Sequence, residues 1–227
     1  MAITKNGSTY SQAANAIWST SWTSGSFAVA AGTNRILVVS VAIYLATGIT
    51  EPGVTAVKWG GSGGAALTKV TSQVYDPAAT KEKEASLWYL VNPTAQTSTL
   101  YLTFANSINE VAVAATVWDG AAQTTPFTGA NGSQSGWTTT HSVIVSSATD
   151  SLVIDSIFAG GAITCSQTQD ANVATANSVF GQSNKAGATS VTMTWTSANS
   201  NHAMVAASLA PYVDASHINI ALAVGGS

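Results

Sequence analysis

Apolar and polar residues alternate with a period of two in several separate stretches of the chain. In residues 98–104 and 190–196 every second position is apolar, and residues 110–118 and 150–158 repeat the pattern. A period of two predicts β-strands with one buried face. The apolar positions of the first two stretches are Leu100, Leu102 and Phe104, and Val191, Met193 and Trp195.

Residues 35–45, RILVVSVAIYL, are almost continuously apolar, which is typical of a central strand covered on both faces. Turn-forming clusters rich in Gly, Asn, Ser and Pro separate the apolar stretches, and no stretch carries an apolar stripe at the helical period. The pattern predicts an all-β fold, a two-sheet antiparallel β-sandwich or jelly-roll-like domain with extended terminal segments. We expect an N-terminal extended segment at 1–25, the sandwich at 26–211, and a C-terminal arm or extra strand at 212–227.

The segment VKWGGSGGAALTKV, residues 57–70, raises the question of a phosphate-binding loop. Gly61, Gly63 and Ala66 fit a loose dinucleotide-binding spacing, and Glu82 or Glu84 follows about 20 residues later. That motif requires a helix after the last glycine, because helix amides hold the pyrophosphate. The β-branched ALTKVTSQVY follows instead, so a hairpin turn and no nucleotide or other cofactor are predicted.

Composition limits the partners. Only 7% of the 227 residues are charged and the net charge is −3, so the surface is expected to be polar and neutral. Seven basic residues cannot form the clusters that nucleic-acid binding requires, which excludes that class of partner. The longest apolar stretch is shorter than the roughly 18 residues of a membrane span, and the N-terminus lacks the apolar core of a secretory signal. We expect no membrane partner.

The residues that carry chemistry are scattered. His141, His202 and His217 lack metal-binding spacing, so no metal site is predicted. Cys165 is the single cysteine and has no basic neighbour that would activate it. Asp155 is the only carboxylate within a strongly apolar strand, and its expected position is the solvent face. Without a second carboxylate or a nucleophile motif, no enzymatic activity is expected.

Seven tryptophans on a neutral Thr- and Asn-rich β-surface would suit carbohydrate recognition, because aromatic faces stack on sugars. Trp18, Trp22 and Trp137 lie in Ser-, Thr- and Gly-rich contexts and are the candidate glycan contacts. The alternative is that each pins a long loop onto the sandwich. Trp88 and Trp118, within apolar strands, are expected in the core.

The sequence also shows a resemblance over roughly residues 26–211. The segments that show it are the Gly-Gly hairpin, the strand LWYLVNP (87–93) and the corner WDGAAQTTP (118–126). The order of these segments resembles a largely uncharacterised β-sandwich module of bacterial surface proteins and phage structural proteins. The resemblance implies a fold and a setting outside cells, and it transfers no active site.

A protein that works outside cells but carries no export signal is explained by assembly in the host cytoplasm and release by lysis. We therefore expect a non-enzymatic virion structural protein on the particle exterior, most specifically a phage capsid decoration (cement) protein. Its partners would be the major capsid protein or other virion proteins. The alternative is a carbohydrate-binding or adhesion module of a tail, a fibre or a cell surface.

Two further expectations concern assembly. A sandwich with few charges on its edge strands leaves open edges, which predicts a homo-oligomer, specifically a trimer. Beyond Pro211, apolar residues alternate again in the C-terminal segment, which predicts a strand that contacts a partner or its own sheet. The candidate contact residues are Ile218, Ile220, Leu222 and Val224.

Overall fold

The structure is a computed structural model that describes residues 2–45, 53–75 and 83–214. Within those ranges the chain forms fifteen β-strands and no helix, and every strand pairing is antiparallel, which confirms the predicted all-β, sandwich-like fold class. The strands are β1 Thr4–Thr23, β2 Phe27–Val29, β3 Ile36–Tyr44, β4 Val54–Trp59, β5 Ala65–Ala66, β6 Thr68–Tyr75, β7 Lys83–Val91, β8 Gln96–Ser98, β9 Leu100–Asp119, β10 Phe127–Ser146, β11 Leu152–Ala159, β12 Ile163–Cys165, β13 Thr168–Ala174, β14 Val179–Ala186 and β15 Ser190–Leu209.

The first sheet is built around the 20-residue strand β9. Along one edge β9 pairs with β1, and along the other it pairs first with β4 and then with β3. The sheet continues from β3 to β7 and β6. The segment 1–25, expected to lie outside the sandwich, thus contributes β1 to this sheet; the division of the chain at residues 25 and 211 stays a prediction.

The second sheet repeats this plan around β15, which also has 20 residues. One edge of β15 pairs with β10 and the other with β12 and then β11, and the sheet continues to β14 and β13. Six strands of residues 4–119 therefore match six strands of residues 127–209 in order and partners. The chain is an internal duplication, and the two halves are called repeat 1 and repeat 2.

Side-chain orientation agrees with the duplication. Ile36 pairs with Trp118 in repeat 1, and Leu152 pairs with Leu209 in repeat 2. All four side chains enter one shared core between the sheets, together with the next inward pair, Val38 and Ile154. The alternate positions of the same strands face two separate cores, one inside the curl of each sheet. The apolar stretch 35–45 is thus covered on both faces, as predicted.

The two repeats pack through an arrangement that a two-fold rotation produces. Strand β6 of repeat 1 packs against β10, and the matching strand β13 packs against β1, while β3 and β11 lie against each other. Thr116 donates to Gln182 (3.1 Å) and Gln182 donates to Ser40 (2.7 Å) across this interface. The shared core and these bonds join the repeats into one body.

The glycine-rich segment is a turn, as predicted. Gly60 and Gly61 have φ of 102° and 78°, a region that favours glycine, and the amide of Gly64 bonds to the carbonyl of Gly61 at 3.0 Å. Strands β5 and β6 follow it. Glu84 lies in β7, where its carboxylate accepts a bond from the amide of Val54 at 3.2 Å. Trp88 and Trp118 are buried, as expected of core aromatics.

Replacement of Gly181 should test the packing inside the second sheet. A Cβ there would lie 2.6 Å from Cη2 of Trp195 and 2.8 Å from Cδ1 of Ile163, so the core would have to shift. We expect Gly181→Ala to lower the free energy of unfolding by about 1–3 kcal/mol in denaturant titration. Gly161→Ala is the matched control, since no atom lies within 4 Å of its added Cβ. Equal stability of both variants would contradict the packing.

Candidate functional site

Two exposed tryptophans interrupt the long edge strands. In β1 the pairing with β9 shifts between Asn15 and Ser19, and Trp18 lies in this bulge with 61% of its surface exposed. In β10 the pairing with β15 shifts between Ser135 and Thr138, and Trp137 lies there with 74% exposed. We call these positions the tryptophan bulges. Only Ile144 and Val213 are comparably exposed among the large apolar side chains of the described residues.

The bulges occupy equivalent places in the two repeats. Each tryptophan opens a similar sequence, WSTSW at 18–22 and WTTTH at 137–141. In each case the residue after the tryptophan accepts a hydrogen bond through its hydroxyl from a backbone amide two residues further along. Ser19 accepts from the amide of Ser21 at 3.2 Å, and Thr138 accepts from the amide of Thr140 at 3.4 Å. The two bulges therefore share this hydrogen bond.

The partner strands match as well. Opposite the bulges, β9 reads TFANS at 103–107 and β15 reads TSANS at 196–200. Thr103 and Thr196 each bond through the hydroxyl to a threonine of the neighbouring short strand, Thr55 at 2.8 Å and Thr164 at 2.9 Å. Sequence, register and hydrogen bonds thus independently identify the same pair of positions.

Each bulge also borders a hairpin end of the opposite repeat. Beside Trp18, Asn15 accepts a bond from the amide of Ala176 at 2.8 Å, in the turn between β13 and β14. Beside Trp137, Gly136 lies next to Tyr75, the last residue of β6, since a Cβ on the glycine would be 3.9 Å from the tyrosine hydroxyl. Both tryptophan bulges are therefore junctions between the repeats.

The backbone at Trp18 is strained. Trp18 has φ of 46° and Ala16 has φ of 52°, in the left-handed region that bulky side chains rarely adopt. Such strain costs on the order of 1–3 kcal/mol per residue and is typical of functional positions. The surrounding pairing with β9 holds the indole outward at that cost.

Trp22 differs from the other two candidate glycan contacts. Its side chain is partly buried and packs against the core inside the first sheet. The position that matches Trp22 in repeat 2 is His141. Trp22 pairs with Leu102, which directly precedes TFANS, and His141 pairs with Trp195, which directly precedes TSANS. The structure thus presents Trp18 and Trp137 at the surface, whereas the side chain of Trp22 is partly buried.

His141 and His202, isolated in the sequence, meet between the paired strands β10 and β15. Their Nδ1 atoms lie 2.8 Å apart, and both residues are buried. The remaining ring nitrogens contact hydroxyls, His141 Nε2 to Ser197 at 2.8 Å and His202 Nε2 to Ser133 at 3.3 Å. Burial lowers the pKa of both imidazoles, and the neighbouring ring adds to the effect on His202, whose pKa falls to about 4. His217 lies outside the described residues.

The contacts of this histidine pair continue through Ser197. Its hydroxyl lies 2.8 Å from His141 Nε2, 2.5 Å from the carbonyl of Ala198 and 2.9 Å from the hydroxyl of Ser200. Each ring nitrogen of His141 and His202 thus has a partner within hydrogen-bond distance.

Asp155 is buried, so the expectation that it faces solvent is wrong. Its side chain points into the core of the second sheet, where Oδ1 accepts from the amide and hydroxyl of Ser183 (2.8 and 2.7 Å). Oδ2 accepts from the indole of Trp195 at 2.7 Å and from Gln167 at 3.4 Å. Burial raises the pKa of Asp155 to about 7 against the effect of these donors.

Cys165 lies beside this carboxyl group and is half-buried. Burial, and secondarily the charge of Asp155, raise the pKa of the thiol above its usual value. A raised pKa disfavours the reactive thiolate.

Other kinds of site find no support in the described part of the chain. Ranges 2–45, 53–75 and 83–214 contain no group of three or more His, Cys, Asp or Glu side chains placed to hold a metal ion. The same ranges include no helix with the length and apolar character needed to span a membrane. The contact residues predicted in the C-terminal segment, Ile218, Ile220, Leu222 and Val224, lie outside the described residues.

No family model, no curated protein and no solved structure matches this chain. The resemblance to surface and phage modules therefore stays a prediction.

Proposed function

We propose that this chain is a non-enzymatic structural protein of a virus particle, most specifically a capsid decoration protein that binds the outer shell. The observation that carries the proposal is the contrast between its interior and its surface. The buried histidines and Asp155 are bonded to one another or to neighbours, whereas two indoles stand exposed on edge strands. Each indole offers a flat apolar surface and an N–H donor, which are suited to contact with a partner.

The edge strands support an assembling role. Among the described strands β1 pairs only with β9, and β10 pairs only with β15, so each has one edge without a paired strand, called here the free edge, although β13 and β6 pack against these strands. Beyond Lys5, neither strand contains Lys, Arg, Asp or Glu, the residues with which proteins usually protect an edge. Partner strands or further copies of the chain would cover these edges, with the trimer as the proposed state.

Two measurements test this function. Mass spectrometry of purified particles should detect peptides of this chain, and light scattering of the recombinant protein should give the mass of a trimer. Absence of the chain from purified particles would rule out the virion role. A monomer at working concentration would rule out self-association through the free edges.

The C-terminal segment gives a sharper test of attachment. Pro211 bridges Ala121, and the amide of Tyr212 bonds to the carbonyl of Gly120 at 2.7 Å, so these residues belong to the folded body. Deletion should therefore begin after Asp214. We expect a chain lacking 215–227 to retain its circular dichroism and melting temperature while losing oligomerisation or particle attachment. A truncated chain that unfolds, or one that assembles normally, would contradict the proposal that the C-terminal segment attaches the protein to a partner.

Carbohydrate binding is a second candidate, and the exposure of Trp18 and Trp137 favours it. An indole held outward on a neutral, hydroxyl-rich surface has the chemistry of a sugar platform.

A further inference from the structure

We propose that the chain carries two equivalent carbohydrate-stacking sites, one at each tryptophan bulge, and is therefore bivalent for a neutral oligosaccharide. This inference rests on the second candidate function and adds to it the number, the place and the equivalence of the sites. Site 1 consists of Trp18 with Asn15 and Thr20. Site 2 consists of Trp137 with Thr138 and Thr139.

Equivalence is informative because the repeats differ at a neighbouring matched pair of positions. Trp22 in repeat 1 corresponds to His141 in repeat 2, and its partner Leu102 corresponds to Trp195. Tryptophan nevertheless stands at both bulges. A side chain with 61% or 74% of its surface in water contributes little to the stability of the fold. Packing therefore does not account for an indole at both places, and a shared ligand does.

The surroundings select the class of ligand. The strand segments 6–23 and 127–146 contain no Lys, Arg, Asp or Glu. Charged side chains on neighbouring strands are buried and hydrogen-bonded: Glu110, which pairs with Asn15, accepts from Asn177, and Lys83 donates to Asn201. Thr20 and Thr139 are exposed beside the indoles and supply hydroxyls. A ligand that combines a flat apolar face with hydroxyl groups and no charge fits such a surface, and the sugar ring is that ligand.

The fold preorganises both sites. The bulges interrupt paired strands on both sides, and the hydroxyl bonds of Ser19 and Thr138 fix the backbone after each indole. The hairpin of the opposite repeat lies next to each bulge, through Ala176 in one case and Tyr75 in the other. Because both sites lie at the junction of the repeats, they form only in the complete chain.

Isothermal titration of the full chain with cellohexaose, laminarihexaose, maltohexaose and chitohexaose tests the proposal. We expect at least one of these to bind with two sites per chain. Trp18→Ala and Trp137→Ala should each leave one site, and the double variant should lose binding at least tenfold. The wild type should also cross-link the matching polysaccharide and raise its turbidity, whereas neither single variant should.

Ile144→Ala is the matched control, because Ile144 is 57% exposed on the same strand as Trp137 but outside the bulge. It should bind as the wild type does. If no oligosaccharide binds, carbohydrate recognition itself is wrong. If the wild type binds at one site that only one single variant removes, carbohydrate recognition stands and the equivalence is wrong. If the double variant instead loses self-association, a protein partner occupies the bulges.

Discussion

Asp155→Ala is expected to lower the free energy of unfolding by about 3 kcal/mol or more, the largest effect of any single substitution considered for this chain. Removal of the carboxyl group leaves the amide of Ser183 and the indole N–H of Trp195 buried without acceptors. Each unsatisfied donor costs roughly 1–3 kcal/mol, and the lost volume leaves a cavity in the core of the second sheet. Denaturant titration measures the change.

The matched control is Asp150→Ala, which removes an exposed carboxylate just before the same strand. Its effect should stay within about 0.5 kcal/mol. Asp155→Asn should fall between the two, because the amide keeps one oxygen acceptor but turns an NH₂ group toward donors. An Asp155→Ala protein as stable as the wild type would show that the carboxyl group is not the centre of this network.

The histidine pair should make repeat 2 sensitive to acid. The pKa of His202 is about 4 in the folded chain, below the 6.5 of a free imidazole. Between pH 6.5 and pH 4, His202 therefore binds a proton in the unfolded chain but stays neutral in the folded chain. The resulting stability is complete above pH 6.5 and is lost as pH falls toward 4, by roughly 3 kcal/mol in total.

The comparison with His202→Gln isolates this contribution. Burial raises the pKa of Asp155 and Glu84 to about 7, so these groups have the opposite sign and lower stability as pH rises from 4 to 7. Both are present in the wild type and the variant. The stability difference between the two proteins should shrink steadily between pH 7 and pH 4. A difference that is independent of pH would contradict the buried, neutral pair.

The sequence predicted the strands because the period of two is a local signal. The apolar stretch 35–45 and the alternation around Val191, Met193 and Trp195 follow from which faces are buried, and the structure confirms them. Asp155 was misplaced for the same reason. Local alternation allows either face of a strand, and only the tertiary partners Ser183 and Trp195 decide that a carboxyl group lies inside.

The duplication was not predicted, although its signals are visible in the chain. TFANS and TSANS lie 93 residues apart, and WSTSW at 18–22 corresponds to WTTTH at 137–141. A search for internal repeats would have paired Trp18 with Trp137 and separated both from Trp22. The meeting of His141 with His202 could not be found that way, because residues 61 apart come together only through the pairing of β10 with β15.

The order of the repeats along the chain also has a consequence for synthesis. All strands of repeat 1 have been made once residue 119 leaves the ribosome, whereas its side of the shared core, including Ile36, Val38 and Trp118, stays uncovered until β15 is complete at residue 209. For about 90 residues of elongation the nascent chain presents a wide apolar sheet face. At elongation rates of about 5–20 residues per second this interval lasts on the order of 5–20 seconds, during which chaperone binding or aggregation competes with docking.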